Sequence, residues 1–512
     1  MVCSVDALAS QAGVAVLRAG GSAADAAVAT SAVLAVTTQH LCGMGGDLFA
    51  LVHAGDGPPA VLNASGRAGS GADPDRLRAE GATEMPPLFD VRSAPVPGCV
   101  DGWLALHERF GRLPLSDVLA PATAYAEDGF PAAGLMADMV PLVADLPEAA
   151  DYTEQRPVRA GTRIRRPGLA RSLRAIAAGG RDGWYGGEFG EGLLAVGGGE
   201  YTPADLERPL ADWVPPLGVR AWGHDVWTVP PNSQGYLTLA GAWIAEGLDL
   251  PADPDDPLWA HLLVEAARAA GHDRLEVLSE EADGEALLAP ERLAPRRAAV
   301  APDRSAQWND EAYVAGDTIH LAAVDGDRMG VSLIQSNAAG WGAHVVVPGV
   351  RVFLHNRGIG FSLVPGHPAE YRPGRRPPST LSPALVTRPD GTLHTVLGTM
   401  GGDSQPQILL QALARLLAAG QSPVQAVSAG RFVLTGTAGG FATWNERGDV
   451  RVDVEGQAPD DWADGLAARG HRVQHFPAFD HHFGHAHVIT VMDDHLAGAT
   501  DPRPRTGLAA GY

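Results

Sequence analysis

Helical patterning fills the opening of this chain and strand patterning gathers in its second half, with no regular strand–helix–strand alternation between them. A doubly wound parallel sheet needs that alternation, so the pattern points to a layered α+β fold. Residues 6–19 have helical composition and stop at Gly20 and Gly21. Ser22 then caps a second helix. The stretch 23–36 is apolar, but Asp25 interrupts it and it is too short to span a bilayer, so a helix packed in the core is expected. The glycines of 42–52 make a tight turn that feeds a strand. Further helices are expected at 100–110, 114–127, 259–271 and 407–419. Strands are expected at 319–324, 329–334, 345–354, 384–387 and 395–397. The proline-studded stretch 365–378 cannot join a ladder and reads as a surface loop.

Charge narrows the function. The formal net charge of −22 argues against a nucleic-acid partner, because phosphate binding needs clustered positive charge. It equally disfavours anionic lipid. The chain contains no lysine, which removes the usual Schiff-base former. Cys3, Cys42 and Cys99 are odd in number and far apart, which gives neither a disulfide framework nor a zinc motif. With no basic segment and apolar run at the start, a cytoplasmic, reducing setting is expected. The histidine-dense run His481-His-Phe-Gly-His-Ala-His487 matches no structural zinc spacing, and strand alternation would split it between two faces. No metal and no cofactor are expected. Gly197 to Gly199 reads as a turn, since no lysine with Ser/Thr follows it in the P-loop manner. The acidic run at 253–257 reads as a solvated turn. The absence of GxSxG leaves an α/β-hydrolase elbow unsupported.

One position stands out weakly on its own: Thr318, a hydroxyl residue where a polar stretch gives way to a strand. Threonine is a favoured strand residue, so pattern alone does not make it catalytic.

A series of short runs adds to that reading. They are Leu8-Ala-Ser-Gln-Ala-Gly13, Gly20-Gly-Ser-Ala-Ala-Asp-Ala-Ala-Val28, Gly43-Met-Gly-Gly-Asp-Leu-Phe49 and Val96-Pro-Gly-Cys-Val-Asp-Gly-Trp103. Phe110-Gly-Arg-Leu-Pro-Leu115, Thr318-Ile-His320, Ser379-Thr-Leu-Ser-Pro383, Met400-Gly-Gly402, Asp501-Pro-Arg503 and Ala510-Gly-Tyr512 follow in order. In this series the chain resembles the gamma-glutamyltransferase family over nearly its whole length, close to its cephalosporin-acylase-like branch. The resemblance implies an αββα four-layer sandwich of the N-terminal-nucleophile hydrolase type, made as one precursor. Self-cleavage at Asp317–Thr318 would give a large chain, 1–317, and a small chain, 318–512, which stay associated as one catalytic domain. A higher oligomer is compatible with this reading.

The resemblance also assigns roles. Thr318 becomes the nucleophile, Ser336 hydrogen-bonds its freed amine, and the backbone N–H groups of Gly401 and Gly402 form the oxyanion hole. Ser379 and Thr380 hold the substrate's carboxylate. The family's carboxylate-gripping arginine falls on Ser65, with Arg67 two residues on as its substitute. The family's ammonium-binding glutamine and aspartate fall on Arg357 and Gly360, and an asparagine falls near Ala338. A cation at 357 favours a carboxylate over an ammonium. Either the acyl group lacks an amino group, as a glutaryl chain does, or Arg357 turns away and pairs with a nearby acid. The small-molecule partner is an amide such as glutathione, or a cephalosporin or glutaryl amide. A non-cleaving relative that only binds a small molecule is the reading from another class. The loop at 365–378 is shorter than the lid such relatives carry, which predicts a more open pocket.

Overall fold

The computed structural model describes residues 1–154, 157–306, 308, 317–436 and 450–512. Two large antiparallel sheets form its centre, and the sequence shows why they pack as they do. Five strands matter for the site: β1 (Asp47–His53), β2 (Asp317–Val324), β3 (Gly330–Ala338), β4 (Leu393–Thr399) and β5 (Ala486–Val491). The seven-stranded sheet has β2, β3 and β1 adjacent in its middle. The six-stranded sheet pairs β4 with β5.

Side chains alternate across a strand, and here the alternation sorts them into layers. Ile319, Leu321, Ala323, Val331, Leu333, Leu48 and Ala50 join the apolar cluster formed with the first helices. Ala322, Val324, Ile334, Phe49 and Leu51 instead meet Leu385, Val396 and Ile489 of the other sheet. Ala384, Val386, Leu397 and Val488 face a third cluster that holds the helices Tyr236–Glu246, Pro257–Gly271 and Gln405–Leu413. The layers are therefore helix, sheet, sheet, helix, the αββα sandwich expected.

Local signals set the helix starts. Asp6 accepts the N–H groups of Leu8 and Ala9 at the head of Ala7–Arg18. Ser22 and Asp25 close a reciprocal capping box on Ala23–Thr37, which is buried at every position. Asp256, expected in a solvated turn, caps Pro257–Gly271 through the Leu258 N–H at 2.7 Å.

Both sheets mix chain from the two sides of the Asp317–Thr318 bond. Val2–Ser4, β1, Ala60–Ala64 and Asp212–Val214 precede it in the larger sheet, while β3 and Leu508–Ala510 follow it. In the smaller sheet Leu217–Ala221 and His224–Thr228 precede it and the other four strands follow. Separating the two stretches would tear both sheets.

Three expectations change. The strand expected at 345–354 is a small hairpin of Val346–Val347 and Val352–Phe353, because Pro348 has no N–H and Gly349 turns at φ 76°. The helix expected at 407–419 starts at Gln405 and ends in one π turn, Ala414–Ala418. The histidine run is not a single strand: His481–Phe483 is a 3₁₀ turn and β5 begins at Ala486. The loop at 365–378 carries no helix or strand, yet it is pinned rather than detached. The Ala68 N–H donates to Arg375 O, the Gly374 N–H donates to Ala68 O, and Tyr371 donates to Glu200. Among the described residues no helix is long and apolar enough to cross a membrane.

Candidate active site

Thr318 stands second in β2, on the face that looks into the layer between the sheets. Two residues on, His320 shares that face, and Ala322 and Val324 continue it as apolar filling. The interior of the sandwich is thus apolar at depth and polar at this end. Thr318 is 1% exposed, so its hydroxyl has little water to satisfy it. It shares a hydrogen bond with Ser336 Oγ at 3.0 Å. Ser336 Oγ also accepts the Ala338 N–H at 2.8 Å, which fixes the hydroxyl across an irregularity in the ladder between Gln335 and Ala338. That irregularity includes Ala338 at φ 69°, in the left-handed region.

The next strand extends the row. Asp47 opens β1 directly opposite Ser336, so the two side chains lie on one face. Asp47 Oδ2 accepts Arg357 Nε at 2.9 Å, and Arg357 Nη1 donates to Thr380 Oγ1 at 2.8 Å. Arg357 thus pairs with an acid, as the second alternative expects, but does not turn away, since it also reaches Thr380. Gly360 ends the same 3₁₀ segment, Arg357–Gly360, and a Cβ there would meet Pro378 O at 2.5 Å. A carboxylate side chain does not fit at 360 on this backbone.

Arg67 does not join this group. Its Nη1 donates to Glu280 and to Gly374 O, and its Nη2 to Asp212. Paired with two acids outside the Thr318–Thr380 row, it is not positioned as a substitute carboxylate grip. Ser65 donates to Asn63 Oδ1 and accepts from Arg376 and Asn232.

Gly401 and Gly402 follow β4 at φ 140° and 53°, a conformation that favours glycine. Gln234 ties them to the carboxylate side: its Nε2 donates to Gly402 O and to Thr380 O, both at 3.1 Å. Arg274, fully buried, holds Gln234 Oε1 at 2.8 Å and Asp403 Oδ1 at 2.9 Å. Ser379 is held through its backbone, donating to Asn232 O and accepting from Gln234 N, both at 2.8 Å. The sequence reading missed Asp47, Gln234, Arg274 and Asp403 as site residues. Asp47 lay inside a motif already singled out, and Asp403 directly followed one. Gln234 and Arg274 carried no signal.

Burial keeps one histidine and two thiols near the site neutral. His320 is held well below the usual histidine range, first by desolvation and then by His487. Its ring packs over Gly398, where any Cβ would lie 2.2 Å away. Its Nε2 bonds Ser332 Oγ at 2.9 Å. Cys42 and Cys99 flank Gln335, one position before Ser336. Burial pushes the Cys42 thiol up to about 12 and the Cys99 thiol upward too, so neither is a thiolate rival to Thr318. No group of three or more His, Cys, Asp or Glu among the described residues is arranged to hold a metal.

A hydroxyl at a strand start, a second hydroxyl beside it, a glycine pair and a buried arginine are groups that acyl transfer can use. The gamma-glutamyltranspeptidase family model matches residues 9–511. The oxamate amidohydrolase proenzyme of Klebsiella pneumoniae is 34% identical, over 99% of this chain and 97% of its own. A glutathione hydrolase-like proenzyme of Bacillus subtilis is 36% identical, over 98% of this chain and 97% of its own. Among solved structures, a cephalosporin acylase from Bacillus halodurans superposes with a TM-score of 0.90 at 33% identity, covering 100% of this chain and 95% of that one.

Proposed function

The chain belongs to the gamma-glutamyltranspeptidase family, and from that footing we propose that it is a self-processed amidohydrolase working through an acyl-Thr318 ester. The observation that carries the proposal is the 3.0 Å contact of Thr318 Oγ1 with Ser336 Oγ at the head of β2. The precursor cuts its own Asp317–Thr318 bond in two steps: the Thr318 hydroxyl attacks the carbonyl before it and shifts the acyl group from nitrogen to oxygen, and water then hydrolyses the ester to a carboxylate and a free Thr318. The new α-amine of Thr318, with an ordinary pKa of about 7.7–8.0, then serves as base for its own hydroxyl. Thr318 Oγ1 attacks the substrate amide, the Gly401 and Gly402 N–H groups take the oxyanion, and the amine leaves. Water, or an acceptor amine, releases the acyl group.

The acyl group of this reading ends in a carboxylate held by Ser379, Thr380 and Arg357. Support comes from the Arg357–Thr380 contact at 2.8 Å. Oxamate and glutathione, the compounds in the relatives' names, both bear a carboxylate on the acyl side of an amide. A glutaryl amide fits Arg357 better than a gamma-glutamyl amide, because the guanidinium repels an α-ammonium. Gamma-glutamyl amides such as glutathione are the second reading, favoured by the acid beside Arg357.

The test is a denaturing gel with N-terminal sequencing of the smaller fragment, followed by a screen of glutaryl and gamma-glutamyl anilides. Two bands with threonine first in the smaller one are expected, and Thr318→Ala leaves one band. A chain that stays whole, or that turns over amides equally well with alanine at 318, ends the proposal. A clear preference for gamma-glutamyl anilide moves the substrate to the second reading.

A further inference from the structure

Asp47 has no part in the nucleophile or the oxyanion loop as described, yet it is fully buried inside the site. Its Oδ1 has no hydrogen-bond partner among the described residues. Neither has Arg357 Nη2, on a side chain 3% exposed. Nη1 and Nη2 form the end of one planar fork, so the bare nitrogen lies beside the one that holds Thr380. A buried donor left unpaired carries its full desolvation cost, and a buried ion pair recovers its own only with extra hydrogen bonds. An orphaned edge beside a hydroxyl in a transferase-type pocket is what a carboxylate ligand would complete.

We propose that Asp47 is a specificity-determining residue that both orients Arg357 and offsets its charge, so that the pocket reads a carboxylate-ended acyl chain without holding the released acid tightly. The inference rests on the reading of Arg357 as a carboxylate-binding group given above. With Asp47 ionised, the Asp47–Arg357 pair is neutral, and a bound carboxylate makes the buried cluster net −1. Without that charge, the same carboxylate meets a full guanidinium. The difference matters most for the product. Hydrolysis turns the amide into a second carboxylate, so the leaving acid is a dianion. A bare cationic pocket would retain it.

The experiment compares wild type, Asp47→Asn, Arg357→Gln and the double variant. Asparagine keeps an acceptor for Arg357 Nε and removes only the charge. Glutarate binding is measured by calorimetry, and KM and kcat are measured for glutaryl and butyryl anilides. Asp47→Asn is expected to bind glutarate roughly fivefold tighter and to lower KM for the glutaryl anilide relative to the butyryl by a similar factor. Its kcat for the glutaryl anilide falls as product release slows. Adding Arg357→Gln cancels the gain. Equal movement of both anilides, or unchanged or weaker glutarate binding, overturns the inference. If Asp47→Asn does not fold, Arg357→Gln decides: a loss of glutarate affinity under about tenfold fits an already neutralised arginine, and roughly a hundredfold or more overturns it. Glutarate binding is read whether or not Thr318 turns over. An inert protein with the expected binding shifts would sink the amidase reading alone, and an active one without them would sink only the role of Asp47.

Discussion

Thr318 and Ser336 stand on paired strands, whereas Ser379, Thr380, Arg357 and the two glycines stand in turns and short 3₁₀ segments. The first side takes its positions from ladder register. A slip of one residue would turn Thr318 into the helix layer and Ile319 into the site, so the whole apolar pattern of β2 guards the nucleophile. The second side takes its positions from individual side chains: Gln234 for Thr380 and Gly402, Arg274 behind Gln234, and Asp47 for Arg357. On the proposed reading the nucleophile thus sits on the stiff half, while the oxyanion glycines and the acyl-recognition groups share the half whose contacts can be exchanged one by one. Substitutions at Thr318 and Ser336 should lower turnover for every acyl group, and those at Arg357, Ser379 and Thr380 should re-rank acyl groups.

The largest expected effect breaks the comparison at its root. In mature protein assembled from separately expressed chains, Thr318→Ala should lower kcat by roughly 10⁴-fold or more for all amides alike. Retained kcat would mean that the strand side does not carry the chemistry. Ser336→Ala comes next. It removes the partner of Thr318 at 3.0 Å and should cost roughly 10–100-fold in kcat, with the ratio between glutaryl and butyryl anilides unchanged. A changed ratio would place Ser336 among the recognition groups. Arg357→Gln should do the opposite, raising KM for glutaryl anilide about tenfold with little effect on butyryl anilide.

The same division explains what could be read from the sequence. Caps and periodicity are local, so Ser22, the buried helix after it and the strand at Thr318 were all legible. The hairpin at Val346–Phe353 was not, because its proline and glycine were outweighed by a run of β-formers. On the strand side the family resemblance singled out two hydroxyls, Thr318 and Ser336, that the ladder brings to 3.0 Å. On the loop side it missed a partner: Arg357 meets Asp47 across 310 residues, and no spacing along the chain reveals which acid faces which base. Arg67 shows the converse. Its position near an aligned arginine invited a carboxylate-binding role, but Glu280 and Asp212 arrive from elsewhere in the fold and take its guanidinium.

The smallest expected effect distinguishes the two sides by acid. The floor beneath Thr318 is a face-to-face pair of histidines, His320 on β2 and His487 on β5, with ring centres 6.0 Å apart. Burial, with Arg431 adding to it and Asp501 opposing, holds His487 down to about 4. Thr500 Oγ1 meets its Nδ1 at 2.7 Å. The folded pKa lies below the ordinary value near 6.5, so the unfolded chain takes up the proton first. The stability owed to a neutral His487 is therefore present above about pH 6.5 and drains away as the pH falls toward 4. From pH 7 to pH 6 this one group should cost roughly 0.7 kcal/mol. Urea unfolding at the two pH values measures the loss, and His487→Gln should reduce it by about that amount. An equal pH slope in the variant would mean that the acid sensitivity lies elsewhere, for instance at His355 before Arg357, which burial also holds below the ordinary histidine value.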